Sequence, residues 1–374
     1  MINRAGYFNK EEAIMANIYE KVQERLDKFP QGFPKTKSGA EMEILEKLFT
    51  PEEAEIMLFL RPFLPEPVST IAERAGRGEK ELAGILYRMS KKGLIFRFQS
   101  PEQQYMYFLI PWVIGIWEFQ LKNLNPENIK LYEKYFEEGM VQERKRSKTP
   151  GGRIIPVEKE IQRVAEIQPY EKVSEIINSH TKFAVAECIC RKEKRIMGEG
   201  CEKLLEACMT FGPMADYAIE NGLGRKISKE EAWQILFQAE GEGLVHFSSN
   251  HSGAKMFICN CCGCCCKALG FITKYNLPLA VAKADYYARV NEETCSACEV
   301  CVDRCQVKAI EMQNGYAIIN KERCLGCGLC VSSCPTESIS LIHKLPEERP
   351  VIFPDQAALL QAIGKEKNKE YPFT

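Results

Sequence analysis

The stretches C-S-A-C-E-V-C-V-D-R-C, residues 295–305, and C-L-G-C-G-L-C-V-S-S-C, residues 324–334, decide the fold of the region around them. Both have the spacing C-x2-C-x2-C-x3-C, and the second begins 29 residues after the first. Three thiolates spaced three residues apart on a tight loop can wrap one iron–sulfur cubane, and the fourth, on the following helical turn, points towards the other cluster. The repeat therefore predicts two clusters that are ligated in a crossed pattern.

This repeat resembles the bacterial two-cluster ferredoxin, and the resemblance covers roughly the last quarter of the chain. It implies one [4Fe–4S] cluster on Cys295, Cys298, Cys301 and Cys334, and a second on Cys324, Cys327, Cys330 and Cys305. Pro335 follows the last cysteine as in the family, whereas Gln306 stands where the family has proline after the first repeat. We expect Gly326 and Gly328 to let backbone N–H groups approach cluster sulfur.

The composition indicates a protein that binds metal through sulfur in a reducing compartment. The 374 residues include 18 cysteines and only 4 histidines, and the formal charge of −1 gives no global attraction to nucleic acid or anionic membranes. Residues 1–21 carry charges where a signal peptide needs an apolar core, so we expect a cytoplasmic protein. The longest apolar run, Leu109 to Trp117, is too short to insert into a membrane.

A nucleotide site within the chain is not expected. The P-loop pattern G-x-x-x-x-G-K-[ST] is missing from the sequence, and the G-x-G segments at Gly76 and Gly222 both lack the third glycine of the dinucleotide fingerprint. The chemistry is therefore expected at the sulfur sites.

The N-terminal region, residues 1–150, is predicted to be helical and to contain a winged-helix-like domain. Residues 1–49 are predicted to be helical with a break at residues 30–34, and a capping box at Thr50 predicts a helix from Pro51 to about Arg61. Two short helices, Val68 to Ala75 and Glu79 to Lys92, precede a hairpin predicted at residues 94–98 and 105–108. This order of elements resembles a winged helix-turn-helix.

Whether this winged helix binds DNA is left open by its charges. Residues 68–98 hold seven basic and three acidic side chains, an excess that favours DNA. Glu79 and Glu81, however, lie in the first turn of the predicted recognition helix, where phosphate would repel them. We prefer a protein-docking or scaffolding role, with DNA as the less favoured partner.

The segment Arg144 to Arg153 is basic and rich in turn residues, which predicts a linker. Beyond it we expect a cysteine-rich α+β middle domain, residues 151–270, and a ferredoxin domain with a C-terminal tail, residues 271–374. A capping box at Ser228 predicts a helix to about Glu240, and a hairpin is predicted at residues 244–247 and 255–258. The whole chain is accordingly of the α+β class.

The middle domain contains ten cysteines, which is more than burial alone explains. The favoured ligands of one or two further iron–sulfur clusters are Cys188, Cys190, Cys201, Cys208, Cys259, Cys261, Cys262, and Cys264 or Cys265. Zinc is the alternative, because four thiolates suffice for it. Cys264, Cys265 and Cys266 are adjacent and cannot all face one metal centre, so either two sites share this loop or some thiols are free.

Two further expectations concern residues among these cysteines. Asn260 and Gly263 argue against a buried strand in this segment. Arg191 either donates to cluster sulfur or lies on the surface at a helix start. The arrangement of residues 154–334 resembles a group of iron–sulfur proteins of anaerobes that has no established activity.

Three functions are compatible with these observations. The preferred one is an electron-transfer protein or subunit that relays low-potential electrons between the ferredoxin clusters and the middle-domain centre and serves a larger redox enzyme. The second is a redox-sensing winged-helix transcription regulator. The third is a reductase that acts at the middle-domain centre, through a site-differentiated iron or a free cysteine such as Cys266.

Overall fold

The computed structural model describes residues 10–161 and 167–372, which form two compact units. The first unit comprises the residues up to Arg144 together with those from Lys367 onwards, and the second unit is Lys145–Glu366. The chain is thus divided at residues 144 and 366, whereas the sequence places boundaries at residues 150 and 270. The regions taken from the sequence as middle and ferredoxin domains lie in the same unit.

The first unit is mainly helical and has one small antiparallel sheet, in the order β1-β3-β2. Its helices are α1 Lys10–Asp27, α2 Ala40–Leu48, α3 Pro51–Met57, α4 Val68–Ala75, α5 Glu79–Lys91, α6 Pro126–Tyr135 and α7 Val141–Lys145. Its strands are β1 Glu66–Pro67, β2 Phe96–Gln99 and β3 Tyr105–Phe108. The helical prediction for residues 1–9 lies outside the described residues.

Helix α3 begins at the capping box that the sequence predicts. The Glu53 backbone N–H donates to Thr50 Oγ1 at 3.2 Å, and the Thr50 N–H donates to Glu53 Oε2 at 2.9 Å. The helix ends at Met57 and not near Arg61, because the next turn tightens and Pro62 cannot continue a helix. The apolar face predicted for α5 is confirmed, since Leu82, Ile85, Leu86 and Met89 are all buried.

The second unit is built on a six-stranded antiparallel sheet, in the order β4-β8-β9-β6-β5-β7. The strands of this sheet are β4 Gly152–Ile155, β5 Phe183–Glu187, β6 Glu206–Phe211, β7 Gly224–Ile227, β8 Val245–Ser249 and β9 Phe257–Cys261. Two more pairs follow, with strands β10 Tyr286–Val290, β11 Ile310–Gln313, β12 Tyr316–Ile319 and β13 Ile339–His343. Strand β10 pairs with β13, and β11 pairs with β12.

The helices of the second unit are short except for two. They are α8 Glu158–Ile161, α9 Val173–Asn178, α10 Ile189–Ile196, α11 Pro213–Glu220, α12 Lys229–Gly241, α13 Lys267–Thr273, α14 Val300–Arg304, α15 Leu329–Ser332 and α16 Gln356–Lys367. Within the described residues no helix is both long and apolar enough to span a membrane.

Only half of the capping box predicted for α12 is present. The Glu231 N–H donates to Ser228 Oγ at 3.1 Å, as expected. The Glu231 carboxylate does not return to the cap but binds Arg225 Nη1 at 2.6 Å, because β7 brings that guanidinium beside it. A nearby cation therefore competes with the cap for this carboxylate.

Strand β4 corrects the prediction of a solvated linker over residues 144–153. Arg153 lies in this strand with its side chain 1% exposed, and its Nη2 donates to Asp285 Oδ1 at 2.6 Å. The Tyr170 hydroxyl donates to Asp285 Oδ2 at 3.0 Å, and the Asp285 N–H donates to Glu171 Oε1 at 3.0 Å. A buried guanidinium needs such partners, and they lie far away in the sequence.

Replacement of Glu171 by glutamine is expected to change how stability depends on pH. Burial, with the charge of Asp285 adding to it, raises the pKa of Glu171 to about 7. Between about pH 4.5 and pH 7 the folded state therefore binds more protons than the unfolded state, and this residue makes stability fall as pH rises through that window. Between pH 5 and pH 7 the free energy of unfolding, measured by denaturant titration, should therefore fall by about 2 kcal/mol less in E171Q than in the parent.

The comparison is made as the difference between variant and parent at each pH, since other buried groups titrate in both. Lys255, whose pKa burial lowers to about 7, contributes stability that rises with pH above neutrality. Parallel pH profiles for E171Q and the parent between pH 5 and pH 7 would contradict the prediction.

Candidate metal centres

The two repeats form two matching loops in the second unit, each followed by a short helix. Residues 295–299 precede α14 and residues 324–328 precede α15, while Cys305 and Cys334 follow these helices. Helix α14 packs against α15, so that Cys334 lines one cavity with Cys295, Cys298 and Cys301, while Cys305 lies close to Cys324 and Cys327. The last cysteine of each repeat is consequently directed to the loop of the other.

The first group of cysteines surrounds one cavity. Four cysteines line it, Cys295, Cys298, Cys301 and Cys334, together with apolar side chains that include Met312 and Ile339. The Ser338 N–H donates to Cys334 Sγ at 3.3 Å, which is a contact that stabilises a thiolate. Cys301 is buried and Cys298 is exposed, so this site lies close to the surface.

The second group lies deeper. It consists of four cysteines that lie close to one another, Cys305, Cys324, Cys327 and Cys330. Burial raises the pKa of Cys327 to about 12, with neighbouring Cys305 and Cys324 adding to the effect. Burial also raises the pKa of Cys305 and Cys330. Thiols of raised pKa are suited to a cationic iron centre, because the charge of bound metal favours the thiolate form. Both ligand sets implied by the resemblance are thus spatial groups.

The ten remaining cysteines lie where the six-stranded sheet meets two helices. Cys188 and Cys190 lie at the start of α10, Cys208 lies on β6, and Cys259 and Cys261 lie on β9. Cys201 lies in the loop between α10 and β6. The loop that joins β9 to α13 carries the other four, Cys262, Cys264, Cys265 and Cys266. The fold divides these ten thiols into two groups.

Four of them form a tight group, which we call the four-thiol site: Cys201, Cys262, Cys264 and Cys265. All four Sγ atoms lie within 4.8 Å of one another. The distances from Cys201 Sγ to the sulfurs of Cys262 and Cys265 are both 3.8 Å, and Cys264 Sγ lies 3.6 Å from Cys265 Sγ. Both Cys264 and Cys265 belong to the site, whereas only one of the two was predicted from the sequence as a ligand.

The other six form a continuous line of thiols, which we call the six-thiol group. In spatial order they are Cys188, Cys190, Cys266, Cys261, Cys259 and Cys208, and each thiol is within hydrogen-bonding contact of the next. Cys208 and Cys259 are register partners on β6 and β9, with their sulfurs 3.8 Å apart. Contacts with Cys208 and Cys261 lower the pKa of Cys259 to about 5.

Cys266 is the member of this group that was not predicted from the sequence as a ligand. It is 7% exposed and contacts both Cys190 and Cys261. It is the extended residue directly before α13, while the adjacent Cys265 belongs to the four-thiol site. Burial between two thiols makes Cys266 poorly accessible to a substrate.

The expectation that Asn260 argues against a buried strand is wrong. Asn260 lies in β9 and is 1% exposed. Its Oδ1 is 2.6 Å from His246 Nδ1, and its Nδ2 donates to the Ala207 carbonyl at 2.9 Å. Because side chains alternate along a strand, a fully bonded Asn260 on one face places Cys259 and Cys261 together on the other.

Arg191 is buried in the four-thiol site and does not lie on the surface. It is 0% exposed, and its Nη2 donates to Cys262 Sγ and to the Asn260 carbonyl, both at 3.3 Å. Its Nη1 donates to the Leu204 carbonyl. Contacts with the thiols of Cys264 and Cys265, and with this guanidinium, lower the pKa of Cys262. Arg191 thus supplies the positive charge that a group of thiolates requires.

The loop that carries Cys201 is fixed by a second arginine of α10. Arg195 Nε donates to the Cys201 carbonyl at 2.9 Å, and its Nη2 donates to the Lys203 carbonyl at 2.7 Å. Glu242, just after α12, accepts the N–H of Leu204. These bonds hold the Cys201 thiol against the loop after β9.

The family model of the 4Fe-4S dicluster domain matches residues 288–341. The match includes all eight cysteines of the two repeats, so the chain carries a ferredoxin-like iron–sulfur domain in its C-terminal part. No curated protein and no solved structure matched the chain. Residues outside this dicluster domain, including the ten cysteines before it, are understood only from their own geometry.

The dicluster domain contacts the cysteine loop directly through Gln306. This residue follows Cys305, and its Oε1 accepts the N–H of Gly263 at 2.9 Å. Gly263 lies between Cys262 and Cys264, and a Cβ on it would lie 1.8 Å from the Gln306 carbonyl oxygen. The residue that replaces the proline of the ferredoxin family therefore touches the backbone of the second cysteine region.

The two loops of the dicluster domain share a backbone conformation with positive φ, but only the second loop has glycine at these positions. Gly326 and Gly328 have φ of 70° and 81°, and the equivalent residues of the first repeat, Ala297 and Glu299, have φ of 54° and 62°. A Cβ on Gly326 would lie 2.1 Å from the Tyr286 carbonyl oxygen, so close approach of β10 requires glycine there as well. The first loop therefore carries backbone strain that the second avoids.

Replacement of Glu299 by glycine is expected to stabilise the dicluster domain by about 1 kcal/mol, because glycine adopts positive φ without a steric cost. The matched change is Gly328→Ala, which should destabilise by about the same amount, since its Cβ would also meet Leu341 Cδ1 at 3.3 Å. Thermal loss of iron–sulfur absorbance under anaerobic conditions measures both. Shifts of the same sign in the two variants would contradict the prediction.

Proposed function

We propose that the chain is an iron–sulfur electron-transfer protein or subunit. Electrons pass between two [4Fe–4S] clusters of the dicluster domain and a further centre on the middle-region cysteines, and a larger redox enzyme is the partner. The observation that carries the proposal is the contact between Gln306 and Gly263, which joins the two cysteine regions within one compact unit.

The proposed ligands of the dicluster domain follow the crossed pattern. One cluster is held by Cys295, Cys298, Cys301 and Cys334, and the other by Cys324, Cys327, Cys330 and Cys305. The second cluster is the one nearer the middle region, because its ligand Cys305 is adjacent to Gln306. From that cluster the path runs along one residue and one hydrogen bond to the loop that holds Cys262 and Cys264.

The six-thiol group is the proposed redox centre at the other end. Six thiols in a line exceed what one tetrahedral metal ion takes, and they suit an iron–sulfur cluster of more than one metal. When bound, such a cluster supplies the one-electron chemistry, while burial of Cys261 and Cys266 limits the access of water to the middle of the group. Oxygen sensitivity of such a site fits the reducing, anaerobic cytoplasm expected from the sequence.

The experiment is a reductive titration of the full chain, purified without oxygen. We expect more than about eight iron atoms per chain, and at least two low-potential signals in low-temperature EPR. The Cys261→Ser variant should lose the middle-region signal and keep the dicluster signals, because Cys261 lies at the centre of the six-thiol line. About four iron atoms or fewer per chain, with no reducible low-potential signal, would refute the proposal.

The first unit is proposed as the module that docks the redox partner. Four of the seven basic residues that favoured DNA are engaged within the unit: Arg74 binds Glu66 at 2.6 Å, Arg77 binds Glu81 at 3.1 Å, Lys92 binds Glu53 at 2.7 Å, and Arg97 donates to Ser90 Oγ at 2.5 Å. Paired cations contribute little to phosphate binding. Holo and apo protein should accordingly bind specific and random duplex DNA equally weakly, and a strong preference for one sequence would favour the regulator instead.

A further inference from the structure

We propose that the four-thiol site binds a single tetrahedral metal ion, zinc or iron, and does not hold an iron–sulfur cubane. The proposal depends on the distances between its sulfur atoms and stands whether or not the chain transfers electrons. It divides the ten cysteines of the middle region into one mononuclear site and one separate group of six.

The sulfur–sulfur distances match one ion. Zinc–thiolate bonds are about 2.3 Å long, so the edge of a regular tetrahedron of four such sulfurs is about 3.8 Å. The three distances measured at the site, Cys201 to Cys262, Cys201 to Cys265 and Cys264 to Cys265, are 3.8, 3.8 and 3.6 Å. A ferric or ferrous ion with four thiolates has the same tetrahedral preference.

A cubane requires a wider arrangement. Each of its four thiolates binds a different iron atom and extends outward from its own corner, which separates the sulfurs further than two ligands of one ion. The eight cysteines of the dicluster domain, all of them described, show that wider arrangement, since no three of their sulfurs lie within 4.8 Å of one another. The four-thiol site has the tighter geometry.

The surroundings of the site suit a closed metal centre. Four thiolates on a divalent ion carry a net charge of −2, and the Arg191 guanidinium, donating to Cys262 Sγ, offsets part of it. Two of the ligands, Cys262 and Cys265, are buried, and four protein ligands leave no open position for substrate. Such a site is structural in type.

The consequence of a bound ion is positional. It joins the Cys201 loop, held by Arg195, to the loop after β9, which directly follows Cys261 and ends at Cys266, both of the six-thiol group. The ion would therefore lie beside the strand end and the helix start that carry Cys261 and Cys266.

The first test needs no variant. Zinc, iron and acid-labile sulfide are counted on the full chain purified without oxygen or added metal, and X-ray absorption is recorded at the zinc and iron edges. A [4Fe–4S] cluster contains iron and sulfide in equal numbers, so we expect about one metal ion per chain beyond the sulfide count. Zinc with four sulfurs at about 2.3 Å, or one excess iron with a mononuclear ferric EPR signal, supports the site.

The second test compares two exposed cysteines, one from each kind of site, Cys264 and Cys298. The Cys264→Ser variant should lose about one metal ion and no sulfide, whereas Cys298→Ser should lose about four iron atoms with their sulfide. A loss of about four iron atoms and four sulfides in Cys264→Ser would overturn the proposal. So would equal iron and sulfide counts in the parent with no zinc, or a bound ion with nitrogen or oxygen ligands, even if the variant fails to fold.

Discussion

Replacement of Arg153 by methionine is expected to lower the free energy of unfolding of the second unit by about 3–5 kcal/mol. The guanidinium donates to Asp285 Oδ1 at 2.6 Å, and the two side chains are only 1% and 2% exposed. Methionine fills similar volume but cannot donate, so the Asp285 carboxylate loses a charged partner in a buried setting. Glu171, which accepts the Asp285 N–H, lies beside it and adds to the cost.

The effect should reach the dicluster domain, because Asp285 directly precedes strand β10. Denaturant titration followed by iron–sulfur absorbance measures it anaerobically in the complete chain. The double variant Arg153→Met with Asp285→Leu should recover part of the loss, since it removes the carboxylate that the single change leaves without its partner. If the double variant lost more free energy of unfolding than the two single variants lose together, the explanation would be contradicted.

Arg225 provides the matched control. It binds Glu206 at 2.9 Å and Glu231 at 2.6 Å, but its side chain is 48% exposed. Water replaces most of what an exposed ion pair supplies, so Arg225→Met should cost less than about 1 kcal/mol. Equal costs at Arg153 and Arg225 would show that burial does not decide the strength of the pair.

The local part of the metal chemistry could be predicted from the sequence, because it depends on spacing alone. The loops at residues 295–305 and 324–334 each place their cysteines within a few turns of backbone, and the family match at residues 288–341 agrees with them. The limits of helices were predictable for the same reason: α4 has the predicted limits, and α5 ends one residue before the predicted Lys92. Capping residues and glycine act within four residues of where they lie.

The division of the ten middle cysteines could not be predicted, because it depends on contacts between distant strands. Cys208 meets Cys259 only through the register of β6 against β9, 51 residues apart. Strand β6 nevertheless has a readable alternation, with Ala207, Met209 and Phe211 buried on one face. That period of two would have placed Cys208 on the opposite face from these side chains.

The predictions for Arg153 and Asn260 were wrong because both are polar residues that the fold buries. Arg153 and Asn260 are polar, which in a sequence favours exposure, yet both are 1% exposed. Their partners are 132 and 53 residues away, at Asp285 and Ala207. Sequence patterns cannot show that a polar group is satisfied by a distant partner, and satisfaction is what allows its burial.

Replacement of Gly263 by alanine is expected to separate the cysteine loop from the dicluster domain and to destabilise the second unit by about 1–3 kcal/mol. The new Cβ would lie 1.8 Å from the Gln306 carbonyl oxygen and 2.9 Å from its carbonyl carbon. These are backbone atoms, so no side-chain rotation relieves the clash, and one of the two loops must move. The hydrogen bond from the Gly263 N–H to Gln306 Oε1 should be lost with that movement.

The readout that distinguishes this separation from general unfolding is intramolecular electron transfer. In G263A the dicluster signals should still be reduced at low potential, while reduction of the middle centre from the dicluster domain slows. Gly270→Ala is the matched control, because this α13 glycine has open space around its Cβ position and alanine favours the helix by up to about 1 kcal/mol. Gln306→Ala removes the Oε1 acceptor and leaves the carbonyl, so it should slow transfer less than G263A. Unchanged transfer in G263A would show that electrons do not cross at this contact, since the substitution must displace it.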